Sequence, residues 1–155
     1  MMSSKQSAGI LLFRKNVGDL EVFLVHPGGP FWKNKDEGAW SIPKGELNEN
    51  EESLPAAIRE FIEETGVLLS GDFIPLNPVR LKSGKKVFAW ALEKDIDSEN
   101  ILSNNFEIEW PPKSGKMQSF PEVDRGEWLT VSEAKKKINT GQTAFITQLE
   151  NKIFG

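Results

Sequence analysis

The chain has 155 residues, of which 38% are hydrophobic and 27% charged, with no cysteine and a formal net charge of −4. That length supports one domain with a substantial core, expected to run over 1–155, and is too short for two comfortable ones. The missing cysteines exclude a disulfide scaffold, a thiolate metal site and cysteine nucleophile chemistry, and the negative charge argues against a long nucleic-acid footprint while leaving a metal-bridged nucleotide compatible.

The start, Met1-Met2-Ser3-Ser4-Lys5-Gln6, lacks the apolar core of a signal peptide, and no apolar run approaches membrane-spanning length. A cytoplasmic protein without a membrane partner is expected. Ala8 to Phe13 and Leu20 to His26 read as two strands of a hairpin, joined across Arg14 to Asp19. Pro27-Gly28-Gly29-Pro30 then breaks the chain into a loop through Phe31, Trp32, Lys33 and Asp36 to Trp40.

From Ser53 to Thr65 the apolar residues Leu54, Ala57, Ile58 and Phe61 fall at helical spacing, with Ile62 at the flank, which predicts a helix with one buried stripe. Ser53 or Asn50 is the expected cap, Pro55 is tolerated only near a first turn, and Gly66 suits a left-handed terminator. Further on, Val79 to Lys82 and Lys86 to Leu92 flank Ser83-Gly84-Lys85 as a second hairpin, and Phe106 to Trp110 alternates with period two. Another strand centres on Trp128 and Leu129. Ser132 reads as the cap of a short helix through Ile138, and Thr143 to Ile153 as a last helix. Lys82 to Lys85 and Lys113 to Lys116 share a turn-like composition and read as solvated loops rather than a repeat. Mixed strands with few helices predict an α/β sandwich.

The helix carries the chemistry. Glu60 lies three residues before Glu63 and four before Glu64, so three carboxylates share one face, where each like-charge pair costs roughly 0.2 to 0.5 kcal/mol. The bland alternative is a solvated acidic face beside Arg59. A divalent cation is the natural counter-charge, and Mg²⁺ takes hard oxygen ligands while keeping several waters.

Gly45, Glu51, Arg59, Glu60, Glu63, Glu64 and Gly66 stand at the spacing Gly-x5-Glu-x7-Arg-Glu-U-x-Glu-Glu-x-Gly-U, where U is a bulky aliphatic residue, and Val67 closes the pattern. Average residue usage makes such a coincidence on the order of 10⁻⁸ per window. The segment resembles the signature box of the Nudix hydrolases, with Phe61 where the family usually has Leu, Ile or Val. Trp40-Ser41-Ile42-Pro43-Lys44-Gly45 is similar to the Trp-x-x-Pro-Lys-Gly lead-in of many members, especially dinucleoside polyphosphate hydrolases. Pro121 to Leu129, followed by Ser132-Glu133-Ala134, resembles the family's acidic loop, strand and late helix.

The resemblance implies a Nudix-type α/β/α sandwich with a mixed β-sheet and hydrolysis of a nucleoside diphosphate linked to another group. It implies Mg²⁺, with Mn²⁺ as the alternative. Glu60 and Glu64 are the implied direct ligands, Glu63 a ligand or base, and the Gly45 carbonyl a further ligand. Glu122 completes the metal site or acts on water, with Asp124 and Glu127 as alternatives. Arg59 is expected to pair with Glu51 and brace the loop against the helix, and Lys44 to contact substrate. A dinucleoside polyphosphate is the expected substrate, although the adenine-stacking tyrosine of many such hydrolases has no counterpart in a chain without Tyr. Lys82 and Ser83 stand where many ADP-ribose hydrolases carry a proline, which disfavours that substrate. Cleavage of (deoxy)nucleoside triphosphates is the enzymatic runner-up, and a nucleotide-sensing module on the same fold is the alternative of another class. His26 is read as a structural or rim residue, Lys85 and Arg80 as surface charges, and Trp32, Trp40, Phe106 and Trp110 as core aromatics before base-stacking ones.

Overall fold

The computed structural model describes residues 5–155. Met1 to Ser4, part of the segment lacking a signal-peptide core, lie outside the described residues. The strands are β1 (Gln6–Asn16), β2 (Asp19–Pro27), β3 (Lys44–Glu46), β4 (Ile74–Pro75), β5 (Val79–Arg80), β6 (Lys86–Glu93), β7 (Asn105–Glu109), β8 (Met117–Pro121) and β9 (Val123–Thr130); the helices are α1 (Ser53–Thr65), α2 (Val131–Lys137) and α3 (Thr143–Phe154).

β1 sits at the centre of a sheet ordered β4-β6-β1-β2-β9, with β3 paired to β1 and β5 to β6. It runs parallel to β6, from Gln6 opposite Lys86 to Phe13 opposite Glu93, and antiparallel to β2. The sheet is therefore mixed. The hairpin between β1 and β2 closes on Val17 and Gly18, both at positive φ (46° and 83°), as a type I′ turn requires.

Both faces of the sheet are covered, which explains the nearly unbroken apolar run of β1. Ala8, Ile10 and Leu12 of β1, with Phe23 and Val25 of β2, pack against Ala56, Ala57 and Phe61 of α1. On the opposite face Leu11, Phe13, Val22 and Leu24 meet Ala134 of α2 and Phe145, Ile146 and Leu149 of α3. This is the α/β/α layering that the sequence implied. No helix of the described residues is long and apolar enough to cross a membrane.

Local details differ from expectation at the helix starts. The N-cap of α1 is Glu52, extended and without a side-chain cap bond, while Ser53 is the first helical residue and Asn50 adopts a left-handed turn at φ 63°. α2 is capped by Thr130 rather than Ser132, because Thr130 and Glu133 close a reciprocal capping box. The α1 stripe is also displaced. Ala56, Ala57, Glu60, Phe61 and Thr65 are its buried residues, and Ile62 is exposed. Gly66 terminates the helix as predicted, at φ 79°, with its N–H donating to the Ile62 carbonyl at 2.7 Å.

Two features aim the chain at one end of the sheet. Residues 41–43 wedge beside β2 and β1: Ser41 and Val25 exchange backbone bonds of 2.9 and 3.0 Å, and the Ile10 N–H reaches the Pro43 carbonyl at 3.2 Å. A Cβ on Gly9 would lie 2.5 Å from the Pro43 oxygen and 2.6 Å from Lys44 Cβ, so only glycine lets that segment approach. The other is β7–β8, a separate antiparallel ribbon not anticipated on its β8 side, where Phe106 faces Phe120 and the chain leaves directly into Glu122.

Phe61 is fully buried and its ring lies 6.2 Å from that of Phe23, so it clamps α1 to the sheet. Phe61→Ala is expected to cost about 3–5 kcal/mol in urea unfolding. A loss under about 1 kcal/mol would place the clamp elsewhere.

Candidate active site

α1 projects its carboxylates past the 45–51 loop, and Arg59 joins the two. Arg59 Nε and Nη2 donate to Glu51 Oε2 and Oε1, both at 2.9 Å, and Nη2 also reaches the Glu46 carbonyl at 3.0 Å. The expected Arg59–Glu51 pair is present and bidentate. Nη1 goes further than expected, donating to Glu60 Oε1 at 2.9 Å and to Glu63 Oε2 at 3.2 Å. This crowd of acceptors, Glu51 foremost, pushes the guanidinium pKa up.

Gly45 lies against the same group, and a Cβ there would fall on the Glu60 carboxyl. No other residue could bring this backbone so close. Burial, then the neighbouring Glu63, raises the Glu60 pKa above its ordinary value. Glu64 is displaced further, to about 9, mainly by burial and then by repulsion from Glu60 and Glu122. Glu122 is shifted up by burial and by Glu63. Glu60, Glu63, Glu64 and Glu122 thus crowd one another.

The position of Glu122 is set by a relay of backbone bonds. The Asn104 N–H caps the Glu63 carbonyl at 2.7 Å, the Asn104 carbonyl accepts from the Glu122 N–H at 2.8 Å, and the Glu122 carbonyl accepts from the Gly28 N–H at 2.9 Å. Asn104 and Gly28 are the residues sequence reasoning missed here. The Gly28-Gly29 pair was the available signal, since a Cβ on Gly28 would run into the Pro121 carbonyl.

Lys44 completes the cleft, whose walls include Pro27, Ser41, Ile42, Lys44, Glu64 and Glu122. Burial, then nearby Lys85, lowers its pKa, while Glu64, Glu60 and Glu46 oppose that shift. Gln142, 2% exposed, holds the approach to Lys44 by accepting from the Ile42 N–H at 3.1 Å. A wider groove lined by Arg14, Asp95, Glu127 and Trp128 contains none of these carboxylates.

The other candidates are placed elsewhere. Asp124 is engaged by His26 at 2.9 Å, and Glu127 lies in the Arg14 groove. Lys85 pairs with Glu46 at 3.3 Å, and Arg80 donates to the Gly84 carbonyl at 2.9 Å. Trp40 is fully buried as a core aromatic, whereas Phe106 is half-buried on the β7–β8 ribbon, tilted against Phe120 and outside the core of the main sheet. Trp110 meets Phe31 edge-on, and Trp32 is 38% exposed beneath Lys35.

The residues present fit a hard divalent cation: Glu60, Glu63, Glu64 and Glu122 are oxygen donors whose crowding positive charge would relieve, and Gly45 lets the backbone lie against the Glu60 carboxyl. Among the described residues no three acidic or histidine side chains converge into a ready-made cage.

Residues 4–149 match the family model described as NUDIX domain. A bis(5'-nucleosyl)-tetraphosphatase [asymmetrical] of Rattus norvegicus is 41% identical over 71 residues, covering 41% of this chain and 48% of that protein. An RNA pyrophosphohydrolase of Bartonella henselae is 36% identical over 67 residues, 41% of this chain and 36% of that protein. Each match spans less than two thirds of the relative. Among solved structures, the NUDIX domain of Shewanella oneidensis NrtR complexed with ADP ribose superposes with a TM-score of 0.69 at 17% identity, covering 99% of this chain and 90% of that one, a likeness of fold.

With its pKa raised to about 9, Glu64 holds a proton more tightly in the folded than in the unfolded chain. That contribution to stability is complete below the ordinary carboxylate range and is lost as pH rises toward about 9. In excess chelator, melting temperatures are expected to fall between about pH 5 and about pH 9, and Glu64→Gln to flatten the slope. A rising Tm across that window contradicts the crowding.

Proposed function

The chain belongs to the NUDIX domain family, and on that premise we propose that it is a metal-dependent pyrophosphohydrolase acting on a nucleoside diphosphate-linked substrate, with a dinucleoside polyphosphate as the leading class. The observation that carries this reading is the mutual crowding of Glu60, Glu63, Glu64 and Glu122, with the Glu60 carboxyl against Gly45 and Lys44 on one cleft with Glu64 and Glu122. The Pro43-Lys44-Gly45 lead-in and the similarity to the rat tetraphosphatase support the substrate class.

Glu60, Glu64 and the Gly45 carbonyl would hold Mg²⁺, or Mn²⁺, with Glu63 and Glu122 as the further donors. When bound, such a cation supplies positive charge to the phosphate oxygens. The protein's own groups do the rest. Lys44 offers an ammonium to the polyphosphate from within the cleft. Glu122, whose proton affinity is raised by burial and by Glu63, is suited to take the proton of the attacking water, and Glu63 is the alternative base. Arg59 touches neither water nor phosphate in this scheme; it fixes the loop that presents Gly45.

The test is incubation with dinucleoside polyphosphates, nucleoside triphosphates and nucleotide sugars in Mg²⁺, with products separated by ion exchange. Cleavage of the first class is expected. Preferential cleavage of triphosphates gives the runner-up, and binding without cleavage gives the sensing module.

Glu64→Gln is expected to abolish turnover while the metal-free protein keeps its stability at neutral pH, because the amide removes a ligand and, like the protonated carboxyl, carries no charge. Full hydrolysis by this variant, or by the wild type in excess chelator, would sink the metal assignment.

Glu122→Gln is expected to lower kcat by about 10² to 10⁴-fold with a smaller change in KM. Glu127→Gln, remote in the Arg14 groove, is the control. Equal damage from both would show that the loop containing Glu122 does not serve the reaction.

A further inference from the structure

Two segments beside the cleft take no part in the hydrolytic scheme: the turn at residues 29–35 and the β7–β8 ribbon. Along β7 and into the next residue, half-buried Phe106, Ile108 and Trp110 alternate with exposed Asn105, Glu107 and Glu109, so the two sets lie on opposite faces. Phe120 and Gln118, paired with Phe106 and Ile108, continue the first face onto β8. The turn rests on that face because Gly29, at φ 97°, permits it; a Cβ there would stand 2.9 Å from the Phe106 ring. Phe31 then meets Trp110 edge-on, with ring centroids 5.3 Å and planes 77° apart, and is still 56% exposed. Two rings at this angle form an open aromatic corner.

We propose that the corner made by Phe31 and Trp110 is a binding site for a nucleobase of the substrate, which stacks there while its phosphates reach the cleft. Both rings are held in advance. Gln118 Nε2 donates to the Trp110 carbonyl at 2.8 Å, and the Trp110 N–H to the Lys116 carbonyl at 2.9 Å. The turn carrying Phe31 is closed by the Lys35 N–H on the Trp32 carbonyl at 3.0 Å. The corner is also within reach of the carboxylates. Gly28, whose N–H donates to the Glu122 carbonyl at 2.9 Å, is three residues before Phe31, and three residues span at most about 11 Å. A ribose and its phosphates occupy the interval between a base at the corner and a phosphorus at the cleft. Stacking reads a π-face rather than a hydrogen-bond pattern, so the occupant is a nucleobase as a class.

Charge favours this occupant over an apolar protein segment. Glu107 and Glu109 lie on the far face of the ribbon, and Glu109 accepts from the Lys113 N–H at 3.0 Å. Lys116 stands opposite Trp110, and the Lys35 ammonium lies 5.1 Å over the Trp32 ring, next to Phe31. Aromatic faces bordered by ammonium groups match a nucleotide, whose base stacks while its phosphates meet cations. A peptide or a second copy of the chain docking through apolar contact alone would leave those ammonium groups unpaired.

AMP has a base, a ribose and a phosphate but no anhydride to cleave, so its binding can be measured without turnover. The indole N–H signals of the protein are followed by NMR during titration with AMP or with ribose 5-phosphate in Mg²⁺, and the signal lost in Trp110→Phe identifies Trp110. AMP is expected to move that signal and ribose 5-phosphate to leave it in place. A signal that AMP does not move, or that both move equally, overturns the site. Trp110→Ala and Phe31→Ala are each expected to weaken AMP binding roughly 5- to 150-fold, the effect of removing one stacking ring. Trp110→Phe is expected to keep most of the affinity. Unchanged AMP affinity in the alanine variants, or a loss as large in Trp110→Phe as in Trp110→Ala, overturns the site. Should Trp110→Ala fail to fold, Phe31→Ala on the exposed turn decides alone.

That the bound base belongs to a substrate rests on the hydrolytic reading of the cleft, whereas the AMP titration does not, so the two can fail separately. In turnover of a dinucleoside polyphosphate, both alanine variants are expected to raise KM with kcat less affected, since the rings bind the nucleoside and touch no reacting atom. AMP bound at Trp110 in a protein that cleaves no nucleotide upholds the site and removes the hydrolytic reading. Wild-type KM in active Trp110→Ala and Phe31→Ala enzymes overturns the site and leaves that reading intact. A fall in kcat with AMP affinity unchanged also overturns it, because the ribbon would then only brace Glu122.

Discussion

The guanidinium of Arg59 is the hinge of the site. A guanidinium has five N–H donors in a rigid fork, and all five are used: two on Glu51, one on the Glu46 carbonyl, one each on Glu60 and Glu63. A lysine could not hold this geometry, because a point charge cannot fix a loop bidentately while reaching a helix. The loop that presents Gly45 and the helix that presents the carboxylates are thus one unit. One positive charge faces three carboxylates, however, and Glu64 lies beyond it. The crowding that remains appears in the raised proton affinity of Glu60 and Glu64.

That residual charge is costly to a metal-free protein and useful to a hydrolase. Burial at Glu64 makes an uncompensated carboxylate expensive, so the metal-free chain favours holding a proton there. A cation bound by these oxygens would compete with the proton, which would couple ligand binding to pH and to stability. Local rules of good packing are broken at the proposed site, as with Glu60 on the buried stripe of α1 where the apolar periodicity pointed to Ile58 and Ile62.

The parts of this molecule legible in its sequence were those written in strong local patterns. The limits of α1, the Gly66 terminator, the β5–β6 hairpin and the Arg59–Glu51 pair all follow from spacing or from a gapless motif. What escaped was set by tertiary bonds. β8 is mostly exposed and has little alternation to read. Thr130 outcompeted Ser132 as a cap because Glu133 stands three residues after the former. Asn104 and Gly28 carry no catalytic chemistry of their own, and their importance lies in backbone groups that meet Glu122 only after folding.

The same logic explains why the cleft needs glycines and buried polar side chains together. Gly9 lets residues 41–44 approach β1, Gly45 lets backbone approach Glu60, and Gly28 lets the β2 exit pass Pro121. Each close approach removes side-chain packing that would otherwise fix the backbone, so positional precision must come from hydrogen bonds. Gln142 supplies it for Ile42, Arg59 for Glu46, and Asn104 with Gly28 for Glu122. Carboxylates that repel one another would spread if their supports were only apolar, because apolar contact is not directional. The directional bonds beneath them are what keep the charges concentrated on one cleft.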